Sequence, residues 1–393
     1  MRILVCAFEY PPEGSGLADV AWRMVKEFEK HGHQCLVCSP SGPDIKLGSA
    51  LLIKKLGGLG ILYFWWCVKR HFASRSPEWD AVWLHWPMFL GQCPFPAAVV
   101  TFHGTFRGFY EMARGMRSPW YIRWYYALMK ATERRYLRSL DGERHALTAV
   151  SQRAAAELSS QGVLRERVTY IPVGVDTDQF QSAGNKARVR AELGIPPEAT
   201  VLLFVGRLTR PKNLLALADA FAELKKKVEG AVLLIVGKGE LEKPLARYIE
   251  EKRIPDVRLL GFIPNRELPG VYGCADFFVM SSTYEGQPVV LLEAMACGLP
   301  PILSDIPAMR DVVGESGLGL LVDFSDPHRA ADRIEEYVSS PKAQQDRLGV
   351  RDYVVANMSS AACAEKYLEL LTQVPRKPQK AADSKSQTPN SKS

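Results

Sequence analysis

The chain has no cysteine framework to organise it. Its eight cysteines are scattered through apolar runs, as at Cys6, Cys67, Cys274 and Cys297. Cys35 and Cys38 form a Cys-x-x-Cys, but in the strand-like Gln34-Cys-Leu-Val-Cys38 successive side chains alternate faces. No second pair with suitable His spacing follows, so reduced core cysteines of a cytosolic protein are expected, not zinc or a redox pair. Long apolar runs are also missing. The longest uncharged one, Leu56 to Val68, falls short of the roughly 20 residues of a spanning helix, so no membrane crossing is expected. The apolar opening, Arg2 to Phe8, is too short for a signal peptide and is broken by Glu9-Tyr-Pro-Pro-Glu13. Charge of one sign does not dominate either. A formal net charge of +7, mainly from the N-terminal half and the Lys-rich tail, suits an anionic ligand or an acidic membrane surface but does not argue nucleic acid.

What is present is alternation of strands and helices. The chain of 393 residues is long enough for two domains, each with its own core. Met1 to Phe8 reads as a buried strand, residues 9–16 as a glycine loop, and Leu17 to His31 as a helix with Val20, Met24, Val25 and Phe28 on one face. Gln34 to Cys38 completes a βαβ unit. Its loop carries Gly14 and Gly16, which allow close backbone approach to a ligand, but Asp19 breaks the dinucleotide G-x-G-x-x-G. A NAD dehydrogenase is therefore the weakest reading. Asp80 to His85 and Ala97 to Phe102 are further strands, the second ending at His103, where α/β folds bind ligands.

Ser118-Pro119 opens a helix to about Ser139, with Tyr121, Tyr125, Leu128, Met129 and Tyr136 on one face and Arg123, Lys130, Arg134 and Arg138 opposite. Two readings stand: an apolar face on the core with a solvated basic face, or a basic, aromatic-rich surface resting on anionic lipid. Residues 46–75 leave the same choice open. Asp176-Thr-Asp178 has the spacing of a metal-binding D-x-D but precedes a turn and joins no carboxylate cluster, so no metal is expected. From Val201 the doubly wound pattern repeats.

Two signals in this second unit carry chemistry. In Gly206-Arg-Leu-x-x-x-Lys212 a fork-shaped cation ends a strand and a point cation opens the next helix, a pair suited to a diphosphate. In Glu285-Gly-Gln-Pro-Val-Val-Leu-Leu-Glu293 a strand and a polar loop lead to Pro288 at a first helical position, with Gly298 at the helix stop. The unpaired N–H groups of Val289, Val290 and Leu291 then face the strand end, an anion site. Glu285 and Glu293 beside it are acceptors for hydroxyls.

Glu285-x₇-Glu293, followed by Ala-Met-Ala-Cys-Gly-Leu-Pro, resembles the signature of the family 4 retaining glycosyltransferases. Pro-Pro-Glu-Gly-Ser-Gly16, Phe-His103-Gly, Ala-Val-Ser151-Gln, Ile-Pro-Val-Gly-Val-Asp176, Gly-Arg207-Leu and Leu-Leu-Gly-Phe262 occur in that family's order across about residues 1–372. The resemblance implies a GT-B fold: two Rossmann-like doubly wound α/β domains facing each other across a cleft. Residues 1–172 would form the acceptor-side domain, 173–200 a linker and 201–357 the nucleotide-sugar domain. The helix at about 358–374 would pack back on the first domain, and 375–393 would be a disordered tail.

It further implies that Arg207 and Lys212 take the diphosphate of a GDP- or UDP-sugar, helped by Val289 and Val290. Glu293 would hold the ribose hydroxyls, the backbone at Phe262 the base, and Glu285 the sugar. Gly14 and Gly16 would approach the distal phosphate, and His103 the reacting carbon. The implied reaction retains configuration, needs no cofactor or metal, and moves a hexosyl group, mannosyl or glucosyl, to a lipid-linked or glycan acceptor. The location would be cytoplasmic, with peripheral contact to an anionic membrane as one reading. Gln287-Pro288 departs from the family's usual Phe-Gly. A nucleotide-sugar epimerase and a non-catalytic sugar-nucleotide binder remain as alternatives.

Overall fold

The computed structural model describes residues 1–12, 16–73, 79–115, 118–182 and 184–374. The expected tail at 375–393 and the loop residue Gly14 lie outside them.

Short β-branched and aliphatic runs form the strands, and most are buried on both faces, as parallel sheets require. The first sheet contains β1 (Arg2–Ala7), β2 (Gln34–Ser39), β3 (Ile45–Lys46), β4 (Ala81–His85), β5 (Ala98–Phe102), β6 (His145–Ala149) and β7 (Val168–Tyr170). The second contains β8 (Thr200–Val205), β9 (Ala231–Val236), β10 (Val257–Gly261), β11 (Phe277–Met280), β12 (Pro301–Ser304) and β13 (Leu320–Val322). The orders are β3-β2-β1-β4-β5-β6-β7 and β10-β9-β8-β11-β12-β13, with every pair parallel. Each sheet therefore reverses its strand order once, between β1 and β4 and between β8 and β11. Crevices at the carboxyl ends of such switch points are where open α/β sheets take ligands.

Residues 173–200 are not the irregular linker the sequence suggested. Phe180, Val189 and Ile195 are buried in the second core, and the segment folds a helix, Lys186–Glu192. Its buried Arg190 pairs with Asp276 at 2.7 Å and Lys186 joins at 2.6 Å, fastening the segment to the start of β11. The chain crosses back in the helix Ser360–Gln373, whose Cys363, Ala364, Tyr367 and Leu371 share a cluster with Ile3, Val5, Phe28 and Trp83 of the first domain.

The two crossings pair with each other. Val175 N–H donates to Met358 O at 3.0 Å, and Ser360 N–H donates to Val175 O at 2.8 Å. Gly174 makes this approach possible: a Cβ there would lie 2.7 Å from Ser360 Cα and 2.8 Å from Met24 Cε.

Two helical stretches of the first domain turn apolar surface outward. Ala50–Phe72 is 23 residues long, and by length and composition it could cross a membrane, with 28% of its apolar window buried. The stretch is longer than the uncharged run Leu56 to Val68 because it also takes in Lys54, Lys55, Lys69 and Arg70. Gly57, at φ 53°, interrupts it. Tyr125 O–H reaches Gly58 O at 2.9 Å, joining it to the helix Trp120–Leu137. That helix buries Met129, Glu133, Tyr136 and Leu137, and exposes Trp120, Tyr121, Trp124 and Leu128. The expected core face is thus wrong at Tyr121 and Leu128. Glu133 lies on the buried face with Met129, Tyr136 and Leu137, and its carboxylate accepts Phe106 N–H at 3.1 Å and Gln161 Nε2–H at 2.9 Å. With that face turned inward, the stripe Trp120, Tyr121, Trp124 and Leu128 faces out.

Gly174→Ala is expected to lose about 1–3 kcal/mol through forced separation of the crossings, read as a lower thermal unfolding midpoint. A midpoint equal to that of the unsubstituted protein would show that the close approach imposes no constraint.

Candidate active site

The loop after β8 is held by backbone bonds that continue the β8–β9 pairing beyond the strands. Gly206 N–H donates to Val236 O and Leu208 N–H to Lys238 O, each at 3.0 Å. Gly237, at φ 137°, is required there, because a Cβ would lie 1.9 Å from Gly206 O. Arg207 projects from this fixed loop, exposed, and no carboxylate among the described residues pairs with it. Lys212 ends the short turn Arg210–Lys212. Thr209 precedes that turn but makes no side-chain cap.

Across the switch point, the loop after β11 is tied to the same turn. Ser281 Oγ donates to Lys212 O at 2.8 Å, and Thr283 N–H to Pro211 O at 2.8 Å. The Lys212 ammonium forms an ion pair with Glu285, which also accepts Ser282 Oγ–H at 2.7 Å. Arg207, Lys212 and Glu285 therefore lie together at the carboxyl edge of the second sheet.

The helix Val289–Ala296 begins here, with Pro288 as the residue before it instead of its first turn. Val289 and Val290 present first-turn N–H groups, which have no intrahelical acceptors. Glu293 is 5% exposed, and Tyr272 O–H donates to its Oε2 at 3.0 Å. Burial pushes the Glu293 carboxyl up to about 7, against the Tyr272 bond and the Arg23 charge, which both favour the ionised form. Phe262 follows β10 with an exposed side chain, beside Gly261, whose carbonyl accepts Gly237 N–H at 2.7 Å.

On the facing domain, Gly16 opens the helix Gly16–Lys30. His103 follows β5, and its Nε2 lies 2.6 Å from Nε2 of His85 at the end of β4. One imidazole must donate and the other accept, so the pair holds a single proton between the two nitrogens. Burial pushes His103 down to about 3, and burial together with His103 pushes His85 well below its ordinary value. Both are neutral near pH 7. The Glu285 loop sits against the backbone that carries His103, since a Cβ on Gly286 would lie 3.2 Å from His103 O. Gln287, the departure from the family pattern, accepts Val173 N–H at 2.6 Å and donates to Tyr170 O–H oxygen at 3.2 Å. It thus anchors the loop to the first crossing. Tyr284 lies against Phe109, ring centres 6.2 Å apart, and under the Arg153 guanidinium at 4.4 Å.

His85, Tyr272, Ser282 and Arg23 were missed in the sequence. His85 carried the same signal as His103, a histidine closing a parallel strand. The other three carried none. Asp176 uses Oδ1 on its own turn, accepting N–H from Asp178 at 3.0 Å and Gln179 at 2.9 Å. Among the described residues no His, Cys, Asp and Glu group has the form of a metal site.

Two doubly wound domains with cations, carboxylates and a helix N-terminus gathered at the cleft define a GT-B architecture. Residues 185–351 match the family "Glycosyl transferases group 1", and residues 14–179 match "Glycosyltransferase Family 4". The chain belongs to this glycosyltransferase family. It is 35% identical over 222 residues to a D-inositol 3-phosphate glycosyltransferase of Corynebacterium jeikeium, covering 53% of this chain and 52% of the relative. The match to that relative thus spans about half of its length. An alpha-monoglucosyldiacylglycerol synthase of Streptococcus pneumoniae is 24% identical over 381 residues, covering 91% of this chain and 82% of the relative. The solved sucrose-phosphate synthase of Thermosynechococcus elongatus shares the fold, with a TM-score of 0.73, 19% identity, and coverage of 95% of this chain and 98% of that one.

The histidine pair makes a pH prediction. Unfolded imidazoles take up protons below about 6.5, whereas the buried ones do not until much lower. Their contribution is complete above 6.5 and is lost as pH falls toward 3. The unfolding midpoint is expected to drop from pH 6.5 to 5, and to drop less in His103→Gln. Equal slopes would count against burial of a neutral pair.

Proposed function

We propose that the protein transfers a hexosyl group, with retention of configuration, from a nucleotide diphosphate sugar to a lipid-linked or glycan acceptor. The observation that carries this is the convergence of Arg207, Lys212, Glu285 and the Val289–Val290 N–H groups at one switch point, directly opposite His103. Breaking the anomeric bond places negative charge on the departing diphosphate, so a catalyst must chiefly stabilise that anion. Among the described residues Arg207 has no competing carboxylate. Lys212 pairs with Glu285 until a diphosphate competes for it, and Glu285 is then free to accept sugar hydroxyls. The cations and N–H groups neutralise the leaving group without a metal. A diphosphate oxygen takes the acceptor's proton as the acceptor attacks from the same face. His103, neutral and oriented by His85, contacts the donor sugar by hydrogen bonding.

The acceptor is read as membrane-borne. Trp120, Tyr121, Trp124 and Leu128 are exposed on one helix. Toward the other end of the same helix Lys130, Arg134, Arg135 and Arg138, with Arg107, line a hollow of about 690 Å³. Aromatic and basic stripes along one helix suit peripheral attachment to an anionic bilayer, here on the cytoplasmic face. The alpha-monoglucosyldiacylglycerol synthase relative, whose name carries a diacylglycerol, supports this reading.

Once a donor has been identified by thermal-shift screening of GDP- and UDP-sugars, Arg207→Ala and Glu285→Gln are each expected to lower kcat by about 10²–10³. Saturated variants turning over like the unsubstituted enzyme would sink the site assignment. In flotation, binding to vesicles containing anionic lipid is expected to fall sharply in Trp120→Glu/Trp124→Glu. If the unsubstituted protein floats with neither anionic nor neutral vesicles, the membrane reading is wrong.

A further inference from the structure

The hollow of about 690 Å³ on the first domain is walled by the helices Phe106–Gly115 and Trp120–Leu137 and by the residues that follow Gln152–Ser159. Five cations line it, Arg107, Lys130, Arg134, Arg135 and Arg138, and among the described residues no carboxylate does. Two of the five are held in place. Arg107 donates from Nε to Glu111 at 3.0 Å and from Nη1 to Ser160 O at 3.2 Å, and the Lys130 ammonium lies 4.2 Å from the centre of the Tyr110 ring. Arg134, Arg135 and Arg138 are exposed and form no ion pair among the described residues. Gln161, also in the lining, is buried and donates Nε2–H to Glu133 behind it at 2.9 Å.

Lys130, Arg134 and Arg138 stand on successive turns of one helix, where like charges oppose its formation. The end of a helix favours cations in its last turn, which accounts for Arg134, Arg135 and Arg138. It does not account for Lys130, about two turns earlier, or for Arg107, which comes from another helix. Charges of one sign around a concavity add their fields inside it, so the hollow selects an anion. Its size falls within the roughly 300–1,000 Å³ of small-ligand sites. No aromatic ring lines it for a base to stack on, and Ala131 alone offers apolar side-chain surface. A phosphate fits this lining: its several oxygens accept from guanidinium forks that approach from two helices at once.

We propose that this hollow is a phosphate-binding site, separate from the donor cleft, which takes the phosphate of an anionic lipid headgroup. At about 100° per residue, Trp120, Trp124, Arg134, Arg135 and Arg138 fall within about 100° of one another around the helix axis. The arc that exposes aromatic rings in the first half of the helix therefore exposes guanidinium groups in the second. A helix lying along a bilayer surface would sink the rings and bring the hollow to the level of the headgroups. The phosphate site stands on the hollow itself. Its lipid source rests on the membrane reading of the acceptor, and a free phosphate compound is the other source of the same chemistry.

The test compares vesicles of phosphatidylcholine carrying either phosphatidylglycerol or oleate at matched surface potential, so that phosphate and carboxylate supply the same charge. The full chain is expected to bind the phosphatidylglycerol vesicles about tenfold more tightly. Arg134→Gln/Arg138→Gln should abolish that preference. Lys54→Gln/Lys55→Gln, which removes the same charge from exposed positions outside the hollow, should keep it. The Arg134→Gln/Arg138→Gln protein should unfold at the same temperature as the unsubstituted one or higher, since it sheds like charges one turn apart. In a second arm, pyrophosphate is titrated calorimetrically into Arg207→Ala, in which the donor cleft is weakened. Binding that disappears when Arg134→Gln/Arg138→Gln is added supports the hollow with soluble phosphate. If that binding is seen while vesicles of neither kind are bound, the site stands with a free phosphate compound as its source and the membrane reading fails. Equal affinity for the two anionic vesicles, or a preference that survives Arg134→Gln/Arg138→Gln, overturns the lipid headgroup. Either of these together with no pyrophosphate binding that depends on Arg134 and Arg138 overturns the site.

Discussion

The ion pair between Lys212 and Glu285 joins the two loops on which the site is built. One loop leaves β8 and the other leaves β11, neighbouring strands on either side of the point where the second sheet reverses direction. Both side chains are mostly shielded from water, so separating them without a substitute would expose each to a large desolvation penalty. The hydroxyls of Ser281 and Ser282 reinforce the join from the β11 side. The geometry of Arg207 and of the following helix N-terminus follows from this fastening, because all of them spring from the same two loops.

Across the cleft the first domain offers a different kind of group. Burial keeps His85 and His103 neutral near pH 7, the Arg23 Nε and Nη2 have no acceptor among the described residues, and the backbone at His103 abuts Gly286. The domains are held in register by short contacts: the paired crossings at Val175 and Ser359, Gln287 on Val173, and Tyr284 against Phe109 and Arg153. Apolar contact adds to these, since Val20 and Val150 of the first domain belong to the same buried cluster as the second domain's core.

The outward aromatic stripe on Trp120–Leu137 departs from what its periodicity suggests. Periodicity alone placed Tyr121 and Leu128 inside, because apolar residues at helical spacing usually mark a core face. The face buried instead carries Met129, Tyr136, Leu137 and Glu133, whose carboxylate accepts Phe106 N–H and Gln161 Nε2–H. The segment 173–200 was misread for a related reason. Its polar composition suggested exposure, whereas Arg190 and Lys186 are drawn in by Asp276. In both cases contacts with residues far away in the chain, polar and apolar together, set what is buried.

Strand runs such as Ile3 to Ala7 and Val201 to Val205, the glycines at chain reversals, and Pro288 before a helix are local signals, and the sequence alone determined from them the two doubly wound units. Arg207, Lys212, Glu285 and Glu293 were legible because strand-end and helix-start positions carry functional meaning in such folds. Only the tertiary structure decided that His85 meets His103, that Lys212 closes on Glu285, and that Tyr272 donates to Glu293. The reason is separation along the chain: local preferences act over a few residues, whereas these groups are brought together by sheet order and by the packing of one domain against the other.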